Sequence, residues 1–321
     1  MPRFLIGLAA VLATTGALAQ NPLADLPNLV PNPGFEEGAE PWVITIGPYG
    51  QAADRWAAAK GVAEVIDRDA EAGERCLRLN AVGQDNEVDV HSPRVPVEAG
   101  AAYLLDARVR QVAGTGNYKV VIDWIDADGE HVEYDNDWKG QDRPSRYANH
   151  GGVFTAPDDA AEALIILGVQ KDVECLFDEI RLLKLPIAPG ATVPDGAGSI
   201  EAELPREVPA GGEATFKVIY TAGEGGLPIG SKLGLRRTNN DPRWSPVQTA
   251  DPEALGYTSV EASNGALCMV QPGGPDVFPS ITNVTVLYPP LDEGDTVTMT
   301  YRAQVQPKAE KGVRFALALD G

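Results

Sequence analysis

Three observations in the sequence predict an all-β protein of two domains. The chain has 321 residues, more than a typical single domain contains. Glycine and proline are frequent, with 34 and 26 residues, and both mark turns. Short runs of alternating apolar and polar residues recur along the chain, whereas long helical patterns are absent. A turn-rich, strand-rich architecture follows.

The first 19 residues have the pattern of a secretion signal. Arg3 supplies a basic start, an apolar run covers 4–13, and Ala17-Leu-Ala19 is a small-x-small cleavage site. The apolar run is too short for a membrane span, and no later segment is long and apolar enough for one. We expect a secreted or periplasmic protein without membrane insertion, in which 20–27 form a short mature N-terminus.

The net charge of −20 bears on the class of partner. Proteins that bind nucleic acid or anionic membrane surfaces use Lys and Arg to neutralise phosphate, so this acidity argues against both partners. The simplest reading of the charge is solubility in an exported protein.

Residues 28–185 are predicted to form the first domain, in which short strands are broken by turns. Its clearest element is a hairpin. Tyr118–Ile125 is the best strand pattern, Asp126–Gly129 suits a tight reversal, and Glu130–Tyr134 continues as the returning strand. Asp126-x-Asp128 resembles the start of a calcium loop but lacks the later ligands, so we interpret it as the hairpin turn.

A linker and a second domain follow. The Pro- and Gly-rich segment 186–198 lacks periodicity and is typical of an inter-domain linker. Strand patterns then recur through 199–321, with turns of the kind that immunoglobulin-like sandwiches place before their strands. The second domain is therefore predicted to be an immunoglobulin-like β-sandwich.

The two ends of the first domain carry a family resemblance. The opening Asn28-Leu-Val-Pro-Asn-Pro-Gly-Phe-Glu-Glu-Gly38 and the closing Cys175-Leu-Phe-Asp-Glu-Ile-Arg-Leu-Leu183 look like first and last strands of one β-domain. They resemble the corresponding ends of carbohydrate-binding-module jelly rolls, which have the galactose-binding-like fold. Domains of this family usually bind glycans and rarely catalyse, so the resemblance implies a binding module.

The resemblance also implies a structural Ca²⁺ that ties the opening to the closing segment. Carried over by motif, Glu36 and Asp178 would be side-chain ligands, and backbone carbonyls near Glu71–Gly73 would complete the shell, because Ca²⁺ prefers such oxygens. The closing motif has Asp178-Glu179 where the family more often has two Asp. The alternative reading is two solvated acids at strand ends.

Glycan binding needs exposed aromatic rings beside polar groups, since sugars present apolar faces and a rim of hydroxyls. Period two places Trp124 and Tyr118 on one face of a strand. The predicted carbohydrate-binding residues are Trp138, Tyr134, Trp124, Tyr118 and Trp56. For Trp124, flanked by Ile122 and Ile125, a core position is the alternative, and Trp42 is predicted to be a packing residue.

Three cysteines could matter in an exported protein, where disulfides persist. Cys76 and Cys175 both lie on predicted strands of the first domain and are the candidate pair, which requires Cα atoms within about 7 Å. Cys268 would then be a buried free thiol.

The second domain has a resemblance of its own. Pro209–Thr221, Gly225–Gly230, Trp244–Gln248 and 291–301 resemble one recurring region. It is the β-sandwich that precedes an uncharacterised, metallophosphoesterase-like domain in large exported proteins. In those proteins the chain continues, whereas here the strand pattern is interrupted at Leu317–Gly321, so a truncated chain is an open alternative.

The function predicted from the sequence is non-catalytic capture of a polysaccharide or glycoconjugate. Catalysis is poorly supported, because His91, His131 and His150 lack the paired spacing of a zinc site and no Gly-x-Ser-x-Gly motif is present. Two alternatives remain. The chain could be the accessory front of a larger exported hydrolase, or a structural or adhesive surface protein with no aromatic residue exposed in a groove.

Overall fold

A computed structural model describes residues 23, 25–46, 62–83, 87–135, 146–186, 198–237, 245, 247–249, 251–272, 280–305 and 315–320. These residues form β-strands, turns and irregular segments, and the prediction of an all-β protein is confirmed. Among them, no helix is long and apolar enough to cross a bilayer.

Among the described residues, eleven strands build the first sandwich. They are β1 (Val43–Ile46), β2 (Ala63–Ile66), β3 (Cys76–Asn80), β4 (Glu87–His91), β5 (Val95–Pro96), β6 (Ala102–Gly114), β7 (Asn117–Ile125), β8 (His131–Asp135), β9 (Ala148–Thr155), β10 (Glu162–Gln170) and β11 (Val173–Lys184).

These strands lie in two antiparallel sheets, the arrangement of a jelly roll. A six-stranded sheet has the order β1-β4-β10-β7-β8, with β5 also paired to β10. A five-stranded sheet has the order β2-β3-β11-β6-β9. Their inner faces enclose one large apolar core that includes Phe35, Trp42, Tyr118 and Trp124. The packing role predicted for Trp42 is confirmed, since it is buried against Phe35 with ring centroids 5.1 Å apart.

The opening segment corrects the expectation of a first strand. Between 28 and 42, the chain forms a single bridge, Asn28 with Leu183, and otherwise turns. Prolines remove backbone donors there, and Asn32 and Phe35 have positive φ, so a continuous ladder cannot form. The segment still follows the last strand, because Asn28 accepts a hydrogen bond from the backbone of Leu182 and donates one to Ile180.

In the part of the second domain that the structure describes, eight strands build the second sandwich. They are β12 (Gly198–Glu203), β13 (Glu213–Ala222), β14 (Lys232–Arg237), β15 (Thr258–Ala262), β16 (Leu267–Pro272), β17 (Ser280–Tyr288), β18 (Thr296–Gln304) and β19 (Phe315–Asp320). Two antiparallel four-stranded sheets result, with the orders β12-β13-β18-β15 and β16-β17-β14-β19.

The two sandwiches contact each other through a small apolar cluster. Leu104, Leu183 and Leu185 of the first sandwich pack with Met269 and Leu287 of the second. An ion pair of Arg146 with Asp251 at 3.5 Å also joins the two sandwiches. The second sandwich therefore covers part of the outer face of the five-stranded sheet.

Candidate functional site

The outer face of the six-stranded sheet is where polar and aromatic side chains come together. On β7 the core takes Tyr118, Val120, Ile122 and Trp124, so alternation turns Lys119 and Asp123 outwards. The same alternation on β4 places Val88 and Val90 inside and Glu87, Asp89 and His91 outside. We call this surface the open face, although Val121 and Ile166, which also point outwards at its centre, are buried.

An ion-pair centre lies in the middle of the open face. Asp89, Gly168 and Lys119 are directly aligned across β4, β10 and β7. The ammonium of Lys119 donates to Asp89 Oδ2 at 2.9 Å and also to Glu87 Oε1. Gly168 makes this crossing possible, because a Cβ there would lie 2.2 Å from Asp89 Oδ1 and 2.5 Å from Lys119 Cε.

Lys119 is 6 % exposed, although it lies on an outer face. Burial acts to lower its pKa, but the carboxylates of Asp89 and Glu87 outweigh that effect and raise the pKa above its ordinary value. The lysine therefore stays charged. His91, one row further along β4, has a lowered pKa because it is buried and faces the charge of Lys119.

At the edge of the open face, β8 carries an exposed aromatic ring. Tyr134 pairs with Asp123 in register and is 43 % exposed. Its ring packs on that of His131 with centroids 4.1 Å apart, and His131 Nδ1 lies 2.6 Å from Asp123 Oδ1. The aromatic surface and the polar anchor that holds it are thus adjacent, as a sugar-binding site requires.

Two of the predicted platforms are wrong. Trp124 and Tyr118 share a face, as predicted, but that face is the core, where they are 0 % and 1 % exposed. Trp124 donates from Nε1 to Asp135 Oδ2 at 2.8 Å, so its polar atom is satisfied where it lies. The alternative reading of Trp124 as a core residue is the correct one. Trp138 and Trp56 lie outside the described residues.

The outer face of the five-stranded sheet differs from the open face in what packs against it. One part is covered by the second sandwich. Elsewhere two of its arginines are held by neighbouring acids: Arg78 bonds both Glu64 and Glu174, and Arg181 bonds the buried Asp106. We call this surface the covered face.

The predicted calcium ligands lie where the opening segment, the loop before β3 and the closing strand meet. Glu36 Oε1 accepts hydrogen bonds from the backbone N–H of Glu74 and Arg75, at 2.9 and 3.0 Å. Asp178 Oδ2 accepts from Glu71 and Ala72, at 2.8 and 3.1 Å. Both carboxylates therefore hold the loop before β3, one from the opening segment and the other from the closing strand β11.

The donor chemistry of this junction fits a hard cation. A Cβ at Gly34 would lie 3.3 Å from both Asp178 Oδ1 and Glu179 Oε1, so two acidic oxygens approach one small space that glycine leaves open. Burial raises the pKa of Asp178 to about 6, partly offset by its backbone donors. Within the described residues, no three His, Cys, Asp or Glu side chains form a metal-binding group, so a cation here would also need backbone carbonyls.

The predicted disulfide is wrong, since Cys76 and Cys175 are both free and buried. Cys175 pairs with Leu79 across the β3–β11 ladder, three residues from Cys76. Because side chains alternate along a strand, Cys175 faces the core while Cys76 faces the other side of the sheet. Cys76 Sγ instead donates to the backbone carbonyl of Arg68 at 3.5 Å, and burial raises the thiol pKa to about 11.

The ion-pair centre and the Asp123–His131 pair are not among the residues predicted from the sequence. A signal for them was present, because period two places Lys119 and Asp123 opposite Tyr118 and Trp124. The partners of Lys119 come from β4, about thirty residues earlier, and only strand order brings them together.

Comparison with known proteins found similar solved structures. TmCBM61, solved in complex with β-1,4-galactotriose, is 16 % identical over 49 % of this chain and 99 % of its own, with a TM-score of 0.35. A family 16 carbohydrate-binding module is 18 % identical over 49 % of this chain and 100 % of its own, with a TM-score of 0.35.

A third similar structure is the CBM22-1 xylan-binding domain from Paenibacillus barcinonensis Xyn10C, which is 16 % identical over 48 % of this chain and 93 % of its own, with a TM-score of 0.34. No protein-family model matches the sequence, and the comparison with curated proteins gave no match. The functional conclusion for this chain therefore rests on its own residues.

Proposed function

We propose that this chain is an exported, non-catalytic carbohydrate-binding protein that captures a polysaccharide or glycoconjugate on the open face. The observation that carries the proposal is the combination on one sheet face of the exposed Tyr134 ring with the partly exposed carboxylates of Glu87 and Asp89. Sugars present an apolar ring face, which an aromatic ring can stack on, and hydroxyl groups, which can donate to carboxylates.

The covered face supports this assignment by contrast. Its apolar side chains pack on the second sandwich, and its charged side chains pair among themselves. Of the two outer faces, the open face presents an accessible aromatic ring among the described residues. The resemblance of the opening and closing segments to carbohydrate-binding modules points to the same class of ligand.

Calorimetric titration of the purified protein against a broad panel of soluble oligosaccharides and polysaccharides, with calcium present, tests this function. We expect saturable binding to at least one glycan, and weaker binding of the same glycan by Tyr134→Ala. Val112→Ala, an exposed residue of the five-stranded sheet, is the matched control and should bind as the wild type does. Absence of measurable binding to every glycan in the panel would refute the function.

Calcium is part of the proposal as a structural ion. Glu36 and Asp178 would hold it with backbone carbonyls, and it would supply positive charge where the opening loop and β11 meet. Because binding to the folded state alone stabilises a protein, calcium at a hundred times its dissociation constant would add about 2.7 kcal/mol.

The test for calcium is the unfolding temperature with calcium and with a chelator. We expect a rise with calcium that Glu36→Gln abolishes and that Glu37→Gln, its exposed neighbour, retains. An equal response of both variants would remove Glu36 from the site. No direct contact with the glycan is proposed for this ion.

Export is proposed from the N-terminal pattern. When the full chain is expressed in a bacterial host, we expect the recovered protein to begin at Gln20. N-terminal sequencing that finds Met1 on protein from the extracytoplasmic fraction would contradict this part.

A further inference from the structure

The buried lysine of the open face calls for an explanation beyond stability. Lysine ordinarily keeps its ammonium in water, and burying a charge costs free energy that an ion pair rarely exceeds. Lys119 is nevertheless buried on the outer side of a sheet, between two carboxylates that are themselves 17 % and 19 % exposed. The cation is buried, whereas Glu87 and Asp89 are partly exposed, with Asp89 Oδ1 itself buried.

The ion pairs also depend on a glycine. Gly168 lies between Asp89 and Lys119 in the aligned row, and any side chain there would displace both. A strand interior otherwise disfavours glycine, which weakens the strand and often marks a close approach. Here the close approach is that of the lysine stem to Asp89.

We propose that Lys119 is a positioning residue that holds Glu87 and Asp89 in place as hydroxyl acceptors for a bound sugar, so that these two carboxylates set the specificity of the open face. This inference rests on the proposed carbohydrate function and names the residues that would read the sugar. The part of the sugar that these residues recognise is a pair of neighbouring hydroxyl groups, each of which donates a hydrogen bond to a carboxylate oxygen.

Hydroxyl groups fit this centre better than ions do. The lysine neutralises one of the two negative charges, which weakens the attraction for a free cation, and the remaining negative charge repels anions. A neutral donor such as a hydroxyl meets neither obstacle. Hydrogen bonds to ionised acceptors are also stronger than neutral ones, so fixed carboxylates discriminate between hydroxyl arrangements.

The lysine also supplies a positive charge between the two carboxylates. Glu87 and Asp89 are two residues apart on one strand face, and without a cation their like charges would repel each other. His91 on β4 and Asp123 on β7 are further titratable groups in this neighbourhood, and His131 on β8 contacts Asp123. The variant His91→Gln separates the contribution of His91.

Two variants test the proposal against a glycan that the wild type binds. Gly168→Ala keeps every charged group but displaces Asp89 from Lys119, and we expect about tenfold weaker binding, or 1.4 kcal/mol. Lys119→Met removes the cation at similar length. Its affinity should fall further between about pH 7 and about pH 5, because repulsion between two carboxylates with no cation between them favours proton uptake, while the wild-type affinity stays level.

Three controls accompany these variants. Val43→Ala, an exposed residue on β1 of the same face, should leave affinity and its pH dependence unchanged. His91→Gln should keep the level pH profile, which assigns the new dependence to the carboxylates. Thermal unfolding checks that each variant is folded, and if Gly168→Ala is not, the pH profile of Lys119→Met decides.

The outcomes separate this inference from the function on which it rests. If the wild type binds a glycan and Lys119→Met binds it equally at both pH values, the inference is overturned and the carbohydrate function stands. If the wild type binds no glycan, both fail together. Loss of binding by Lys119→Met that does not vary with pH would assign the lysine a structural role and also overturn the inference.

Discussion

The two outer faces of the first sandwich share one residue pattern but differ in their surroundings. On both faces, charged side chains alternate with core residues along the strands. On the covered face, Arg78 and Arg181 are paired with acids, and Leu104 and Leu183 are buried by the second sandwich. On the open face, a buried lysine pairs with two partly exposed acids, and an exposed tyrosine lies on the edge strand of the same face.

The difference shows that an outward position in a strand does not determine what a residue does. Leu104 and Tyr134 both point away from the core between the sheets, yet Leu104 is buried and Tyr134 is exposed. Leu104 packs against the second sandwich, whereas Tyr134 lies on the edge strand β8 of its sheet. Stability should therefore respond to changes on the covered face, and ligand affinity to changes on the open face.

The largest expected effect is on the covered face. Leu104→Ala should lower the free energy of unfolding by about 2–5 kcal/mol, because it leaves a cavity between the sandwiches. Glycan affinity should not change. Urea unfolding and titration of the same preparation measure both quantities, and a variant with altered affinity and unaltered stability would reverse the roles of the two faces.

A smaller effect is expected from the open face. Tyr134→Ala should weaken glycan binding about tenfold, which is 1.4 kcal/mol, since truncation of an exposed stacking ring removes apolar contact with the sugar. The free energy of unfolding should stay within about 0.5 kcal/mol of the wild type, as for most surface substitutions. Calorimetry and denaturant unfolding provide the two numbers. Stability loss without affinity loss would make this ring structural.

The pH dependence of stability sharpens the comparison further. The pKa of His91 lies below its ordinary value of 6.5, so the unfolded chain binds the proton more readily than the folded one. Its contribution to stability is present above pH 6.5 and is lost as the pH falls through the folded pKa. We expect His91→Gln to reduce the decline in stability on acidification, measured by denaturant unfolding across a pH series.

The smallest effect is expected at the ion pair between the sandwiches. Arg146 is largely exposed and lies 3.5 Å from Asp251, and exposed ion pairs are worth about 0–1 kcal/mol. Asp251→Asn should therefore cost less than Leu104→Ala by a clear margin. A loss in unfolding free energy as large as that of the leucine variant would mean that charge, not apolar packing, joins the sandwiches.

Much of the fold could be predicted from local patterns. The β7–β8 hairpin is confirmed, because its turn chemistry is local: Asp126 Oδ1 accepts backbone hydrogen bonds from Asp128 and Glu130, each at 2.9 Å. The opening segment was expected to be a strand and is not, since its pairing depends on backbone angles that prolines and positive φ values exclude. Short edge strands such as β2 and β5 carry too few residues to show a period.

The candidate site was harder to predict for a physical reason. Period two groups Tyr118 with Trp124 and Lys119 with Asp123, but it does not say which group faces the core. Tyr134, at the strand end, was assigned to the site, and the structure places it on the open face. Its function remains a prediction, as do the calcium ligands Glu36 and Asp178.

The position of the second sandwich has a consequence for valency. A jelly roll with two free outer faces could hold two polymer chains and cross-link them. Here the cluster of Leu104, Leu183 and Met269 occupies part of one of those faces. If the open face captures a glycan as proposed, a single copy would hold one polymer through its sheet faces, and a network of several polymers would take several copies.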